Sequence, residues 1–161
     1  MASTAVVNAS PLIYLSRSEH FELLKSAAER IVVPDVVVAE LSAHGAENPA
    51  LLRLHGASWI EIVTSPAIPG NVLDWQLGPG ESAVLAWALE NPGCLAIVDD
   101  LAGRRCAETV GVSLRGTLGL VLRARRAGSI ASARQVLEDL RTAGMYLSDR
   151  VLNRALALIG E

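Results

Sequence analysis

The chain is expected to fold as a three-layer α/β/α sandwich around a mostly parallel central sheet. Three observations predict this. Short apolar runs alternate along the sequence with amphipathic, helix-forming stretches. One of these runs, Cys94-Leu95-Ala96-Ile97-Val98, is apolar throughout, which suits a strand buried on both faces. It leads straight into Asp99-Asp100, and open α/β sheets deliver functional groups at the carboxyl ends of their strands.

The elements follow in order. Residues 5–8 read as a first strand, and Ser10-Pro11 as the start of a helix carrying Leu12, Ile13 and Leu15 on its apolar face. Ser18 is a candidate cap for a second helix with Phe21, Leu23 and Leu24 inward. Residues 30–33 form strand two, stopped by Pro34, and a helix over 35–44 ends at Gly45. A short helix at 50–54 and a strand at 58–63 come next, and Pro66, Pro69 and Gly70 mark a loop. Gly78-Pro79-Gly80 precedes a strong helix former over 81–90, whose small residues allow close packing. After the central strand, a helix covers 101–110 with Ala102, Cys106, Ala107 and Val110 on one side. A last strand at 112–115 and helices at 117–127, 131–142 and 148–159 close the chain. No repeat, low-complexity tract or linker interrupts it. One domain over 1–161, with C-terminal helices from about 117 to 161, is the expectation.

Composition narrows the function classes. With 51% hydrophobic and 19% charged residues the chain is not a disordered one. No run reaches the roughly 18 apolar residues of a membrane span. The N-terminus lacks the basic and apolar regions of a signal peptide, so a cytoplasmic setting is expected. Cys94 and Cys106 make no metal or redox pattern and read as buried thiols. Charge is unevenly spread: residues 1–103 carry 4 basic and 12 acidic side chains, residues 104–161 carry 10 and 5. All ten of those cations are arginine, whose planar fork suits phosphate, although a mixed solvated surface accounts for any single one.

Four acids stand at the ends of elements: Glu40, Glu81, Asp99 and Asp100. Adjacent carboxylates repel unless a proton, base or cation compensates them. Each has a structural alternative. Glu40 can face solvent, Glu81 can favour a helix N-terminus, and Asp100 can cap the helix after it. Asp99, ending a buried strand, is hardest to explain structurally. Convergence of the four would point to a hard cation such as Mg²⁺ or Mn²⁺. His20, His44 and His55 lack ligand spacing and read as surface residues.

Val6-Val7-Asn8-Ala9-Ser10-Pro11-Leu12-Ile13, Val33-Pro34-Asp35-Val36-Val37-Val38-Ala39-Glu40-Leu41, Gly80-Glu81-Ser82-Ala83 and Val98-Asp99-Asp100 with Gly103-Arg104-Arg105 come in an order that resembles PIN-domain proteins. Gly116-Thr117-Leu118-Gly119-Leu120 and Ala127-Gly128-Ser129-Ile130 further resemble the prokaryotic PIN-like branch DUF3368. The resemblance covers nearly the whole chain. It implies a Mg²⁺- or Mn²⁺-dependent ribonuclease, a frequent toxin of toxin–antitoxin pairs, with RNA and an antitoxin protein as partners. Glu40, Glu81 and Asp99 would be its metal-site acids, with Asp100 as neighbour or substitute for Asp99. Asn8 falls where the family places a first-strand aspartate. Its amide oxygen can still ligate, but the site loses one negative charge. Ser10 would add a hydroxyl contact to metal, water or phosphate, or serve only as a cap.

Arg104 and Arg105 are candidates to hold substrate phosphate or to neutralise the acid pair, against an Arg104–Glu108 surface ion pair. The run Arg123-Ala124-Arg125-Arg126 is a second phosphate candidate. Two other readings stand beside the nuclease. Asn8 favours a weakened module that binds nucleic acid or protein without cleaving. Small residues at Ala83, Ala86 and Ala88 would suit an oligomerisation face.

Overall fold

The computed structural model describes residues 2–161. The chain runs β1 (Ala2–Val7), α1 (Ala9–Arg17), a 3-10 segment (Phe21–Ser26), β2 (Ala28–Pro34), α2 (Asp35–Ala43), α3 (Pro49–Gly56) and β3 (Ile60–Val63). It continues through α4 (Gly70–Leu73), α5 (Pro79–Glu90), β4 (Leu95–Ile97), α6 (Leu101–Val110), β5 (Ser113–Arg115), α7 (Thr117–Arg126), α8 (Ala133–Thr142) and α9 (Asp149–Ala157). The five strands form one sheet in the order β3-β2-β1-β4-β5, with every pairing parallel. Helices flank it, giving the expected three-layer α/β/α arrangement.

The order of strands locates the site. From β1 the chain builds outward through β2 and β3, then returns to the other side of β1 for β4 and β5. The reversal leaves a crevice at the carboxyl ends of β1 and β4, where connections diverge to opposite sides of the sheet. Val7 is in register with Ile97, and the Asn8 N–H donates to the Ile97 carbonyl at 3.1 Å. Asn8 therefore sits one step beyond β1, level with the Val98-Asp99-Asp100 turn that leaves β4.

The core is aliphatic. Ala5, Val6 and Val7 of β1, Ile31 to Val33 of β2 and all of β4 are buried. Nearly every residue of α5 from Ser82 to Ala88 is buried as well, so this helix has no solvent stripe and lies inside the layer. Ala83, Ala86 and Ala88 are thus used up within the chain's own core and offer no face to a second subunit. In the C-terminal helices the Glu161 carboxylate accepts from the Ala133 and Arg134 amides at 3.0 Å each and from Arg125 Nε at 2.6 Å. It closes the start of α8, where first-turn N–H groups lack intrahelical partners.

Several local expectations change. α1 starts at Ala9 with Asn8 as its cap position, so Ser10 lies inside the first turn and Pro11 occupies a site whose missing N–H costs nothing. Ser18 ends α1 rather than capping a new helix, and its hydroxyl donates to the Leu15 carbonyl at 3.3 Å. The next segment is 3-10, although Phe21, Leu23 and Leu24 are buried as expected. Phe21 packs its ring against Trp59 at 5.8 Å between centroids. The Pro69-Gly70 region holds a one-turn helix, α4, whose Val72 is fully buried. In α6 the inward residues are Gly103, Cys106 and Ala107, while Ala102 is exposed.

Candidate metal and nucleic-acid site

The carboxylates are held at the crevice by three separate connections. Glu40 comes from α2, and its Oε1 accepts from the Gly80 N–H at 2.7 Å, against the first turn of α5. That approach requires a residue with no side chain. A Cβ on Gly80 would lie 2.6 Å from Glu40 Oε2. Glu81 is the next residue, in the first turn of α5. Its carboxylate lies against α6, and Glu81 Oε2 would be 3.1 Å from a Cβ on Gly103. Asp100 caps α6, and its Oδ2 accepts from the Gly103 N–H at 3.1 Å. The capping role read from sequence is therefore real, and the same carboxyl also faces Glu81.

Crowding leaves a clear electrostatic mark. Burial, then the charge of Asp100, a hydrogen-bonding contact with Asp100 and the charge of Glu40 push Glu81 up to about 7. The cluster keeps a proton that an isolated glutamate would have released.

Asp99 is placed differently. Its Oδ1 accepts from the Thr117 N–H and its Oδ2 from the Thr117 hydroxyl, each at 2.7 Å. It ties the end of β4 to the start of α7, and none of the charges raising Glu81 comes from it. Glu40, Glu81 and Asp100 are brought together, whereas Asp99 stands beside them with both oxygens engaged. Among the described residues no three His, Cys, Asp or Glu side chains converge tightly enough to enclose an ion as they stand.

Asn8 is 4% exposed, and its Oδ1 is buried without a hydrogen-bond partner. An orphaned buried acceptor costs about 1–3 kcal/mol unless something supplies positive charge or a donor. That oxygen, together with the Glu40, Glu81 and Asp100 carboxylates, is a hard, oxygen-only donor set. It fits Mg²⁺ or Mn²⁺ and offers nothing to a soft metal.

Beside the acids a cleft of 690 Å³ opens, lined by Ser10, Tyr14, Asp99, Asp100, Arg104 and Arg115 among others. Arg104 and Arg105 are both exposed, and only Arg104 lines the cleft. Arg104 makes no ion pair with Glu108. The Arg123–Arg126 run is largely committed internally. Arg125 pairs with Glu161 at 2.6 Å, and Arg123 Nε donates to the Ser26 carbonyl at 3.2 Å. Of the histidines, His44 and His55 are exposed, and His20 is half-buried against Asp139 at 2.8 Å.

Sequence reasoning missed Thr117, Arg115 and Tyr146. Thr117 stood in a motif but had no partner until α7 met β4. Arg115 ends β5, and the rule that singled out Asp99 at the end of β4 would have found it. Nothing local marks Tyr146.

The sequence that builds this site matches a known family model. The chain belongs to the DUF3368 family of PIN domains, whose model matches residues 4–161. PIN domains have a nuclease-type fold, act on nucleic acid and generally use divalent metal ions. No curated protein matches the chain. Among the described residues no helix is long and apolar enough to cross a membrane.

Proposed function

We propose that this protein is a divalent-metal-dependent ribonuclease that hydrolyses RNA phosphodiester bonds, acting as the toxin of a toxin–antitoxin pair. One observation carries the reading. Glu40 and Asp100, fixed by the Gly80 and Gly103 amides, come from distant parts of the chain to lie beside Glu81. Burial first, then the charges of Asp100 and Glu40, push Glu81 up to about 7. Backbone amides hold Glu40 and Asp100 beside Glu81 rather than apart from it, an arrangement that favours a cation among them.

Glu40, Glu81, Asp100 and the Asn8 oxygen would hold Mg²⁺ or Mn²⁺, with Asp99 steadying the β4 end of the site. Bound there, a divalent cation supplies positive charge to the phosphate and acidifies water at neutral pH. The chain's own residues do the rest. The Gly80 amide fixes Glu40, the Gly103 amide fixes Asp100, and Thr117 fixes Asp99, so the oxygens are positioned before substrate arrives. Without metal Glu81 is held protonated up to about pH 7, so binding of a cation there would release its proton. Arg104 lies on the cleft wall where it can neutralise phosphate, with the Ser10 hydroxyl on the same lining.

The test is calorimetric Mn²⁺ binding together with cleavage of an RNA substrate. Asp100→Asn and Glu81→Gln should each abolish both. Equal Mn²⁺ binding by the wild type and both variants would overturn the reading. A second reading is a weakened module that binds RNA or a protein partner without cutting. It is favoured by Asn8, which supplies an uncharged oxygen just past the carboxyl end of β1, where an acid would bring a charge. Asn8→Asp decides between them: a large gain in cleavage marks a nuclease running below capacity, and continued silence marks a binding module.

A further inference from the structure

The C-terminal helices carry a second hollow, next to the acid cleft and apart from its carboxylates. In α7 the positions Gly119, Leu122, Arg123 and Arg126 fall three and four residues apart and so share one face. Leu120, Val121 and Ala124 take the opposite face into the core, and Arg125 turns to Glu161. Arg115, from the end of β5, and Leu158, just past α9, complete the walls of a hollow of 480 Å³.

Three guanidinium groups therefore line one space, and among the described residues no carboxylate lines it with them. None of the three forms an ion pair, whereas Arg30, Arg125 and Arg141 each have a carboxylate partner. Arg115 and Arg123 are also half-buried. Burial and the Arg123 charge pull the Arg115 guanidinium below its usual value, as expected of two cations sharing a poorly hydrated space. Basic residues suit the last turn of a helix, which accounts for Arg123 and Arg126 one at a time. It does not account for Arg115, which joins them from the amino end of α7, where the helix dipole disfavours a cation.

The cations are also held in place. The stem of Arg115 lies over Gly119, so closely that a Cβ there would meet Arg115 Cγ at 2.7 Å. Arg123 Nε donates to the Ser26 carbonyl at 3.2 Å, and Arg126 Nη2 donates to the Leu158 carbonyl at 3.5 Å. Neutral carbonyls fix the direction of each fork and leave its charge unbalanced. Planar forks that are fixed beforehand and repel one another are complementary to an anion with several charges spread over many oxygens. A chain of phosphates has that charge density.

We propose that this hollow binds a polyphosphate group, as an inorganic chain or as the phosphate tail of a nucleotide, with Arg115, Arg123 and Arg126 on its oxygens. The inference does not rest on the nuclease reading, because none of the three belongs to the acid cluster. Arg115, Gly119 and Leu122 also line the acid cleft, whereas Arg123 and Arg126 do not, so the last two are the cleaner positions to test.

The experiment is isothermal titration of the full, metal-free chain with sodium triphosphate, with sulfate and with ATP. Triphosphate should bind more tightly than sulfate. Arg126→Ala should weaken triphosphate binding by about tenfold, the loss of one charge-assisted hydrogen bond, and Arg123→Ala by about as much. Arg126→Lys, which keeps the charge and loses the fork, should recover only part of the loss. Gly119→Ala, which displaces Arg115 without removing its charge, should move binding in the same direction. Arg126 is exposed, so its substitution should leave Tm unchanged and still reads out the site if Arg123→Ala disturbs packing. ATP bound more weakly than triphosphate assigns the hollow to the free chain, and ATP bound as tightly or more tightly opens it to nucleotides; each supports a polyphosphate site. Triphosphate bound no more tightly than sulfate overturns the proposal. So does equal triphosphate affinity in the wild type, Arg123→Ala and Arg126→Ala. Failure of the wild type to bind Mn²⁺ in a parallel titration sinks the nuclease reading and leaves this inference standing.

Discussion

Two carboxylates in this molecule are surrounded in opposite ways. Glu161 accepts from two backbone amides, a guanidinium and the Ser132 hydroxyl, and those donors, the amides first, pull it down to about 2. Glu81 is half-buried beside Asp100 and Glu40, and that burial together with their charges pushes it up to about 7. Both sit at helix starts, where a negative charge is ordinarily welcome. The difference lies in the company each keeps. At Glu161 donors surround an acid and the arrangement stabilises the fold. At Glu81 acids surround an acid, and the folded protein tolerates the strain at the site where its chemistry is proposed to occur.

That contrast can be broken at its most sensitive point by Gly80→Ala. The new methyl would displace the Glu40 carboxylate from the amide that holds it, while leaving every charge in place. Mn²⁺ affinity should fall by roughly tenfold to a hundredfold, as for other losses of outer-shell support, with little change in thermal stability. Glu161→Gln should leave Mn²⁺ affinity untouched in the same calorimetric assay.

Glu81→Gln sharpens the comparison through stability. In the folded protein Glu81 holds its proton up to about pH 7, whereas an unperturbed glutamate releases it near 4.5. Its favourable contribution is therefore full below pH 4.5 and is lost as pH rises through about 7. Removing the charge should raise the metal-free Tm at pH 8 by about 2–4 °C, a difference that vanishes below pH 4.5. A variant that binds metal worse and melts higher is the signature of a functional acid. A Tm that does not rise at pH 8 would contradict the crowding.

The Glu161 side predicts the reverse sign. Its folded value of about 2 lies below the ordinary 4.5, so its contribution is present above pH 4.5 and disappears as pH falls through about 2. Glu161→Gln should lower Tm modestly at pH 7 and match the wild type near pH 2 in a pH series of thermal melts. It should also be silent in the RNA-cleavage assay.

The contrast between these regions also shows what a sequence can disclose. The run ending in Val98 declared a buried strand by composition alone, and the acids after it declared their interest by position. Gly80 before Glu81 was visible as punctuation, but its purpose, to let Glu40 approach, needed two helices in contact. Asp99 and Asp100 are neighbours of the same chemistry, and only the fold separates them: one turns to Thr117 and the other to Glu81. The four-residue helix at Gly70–Leu73 was obscured by two prolines and a glycine, which normally signal a loop, and buried Val72 overrides them. The Glu161 clamp depends on contacts that the last residue makes with Arg125 of α7 and the start of α8. No local pattern encodes them.

The strand order has a consequence for timing. Position 8 waits at the middle of the sheet while the chain completes one flank, returns through position 81, and supplies position 100 on the other. Parallel neighbours separated by that much sequence pair slowly and late. A partly synthesised or truncated chain therefore carries the acids scattered along it, with no pocket in which they could act. A nuclease of the kind proposed, laid out in this way, would be inactive until the last strands dock.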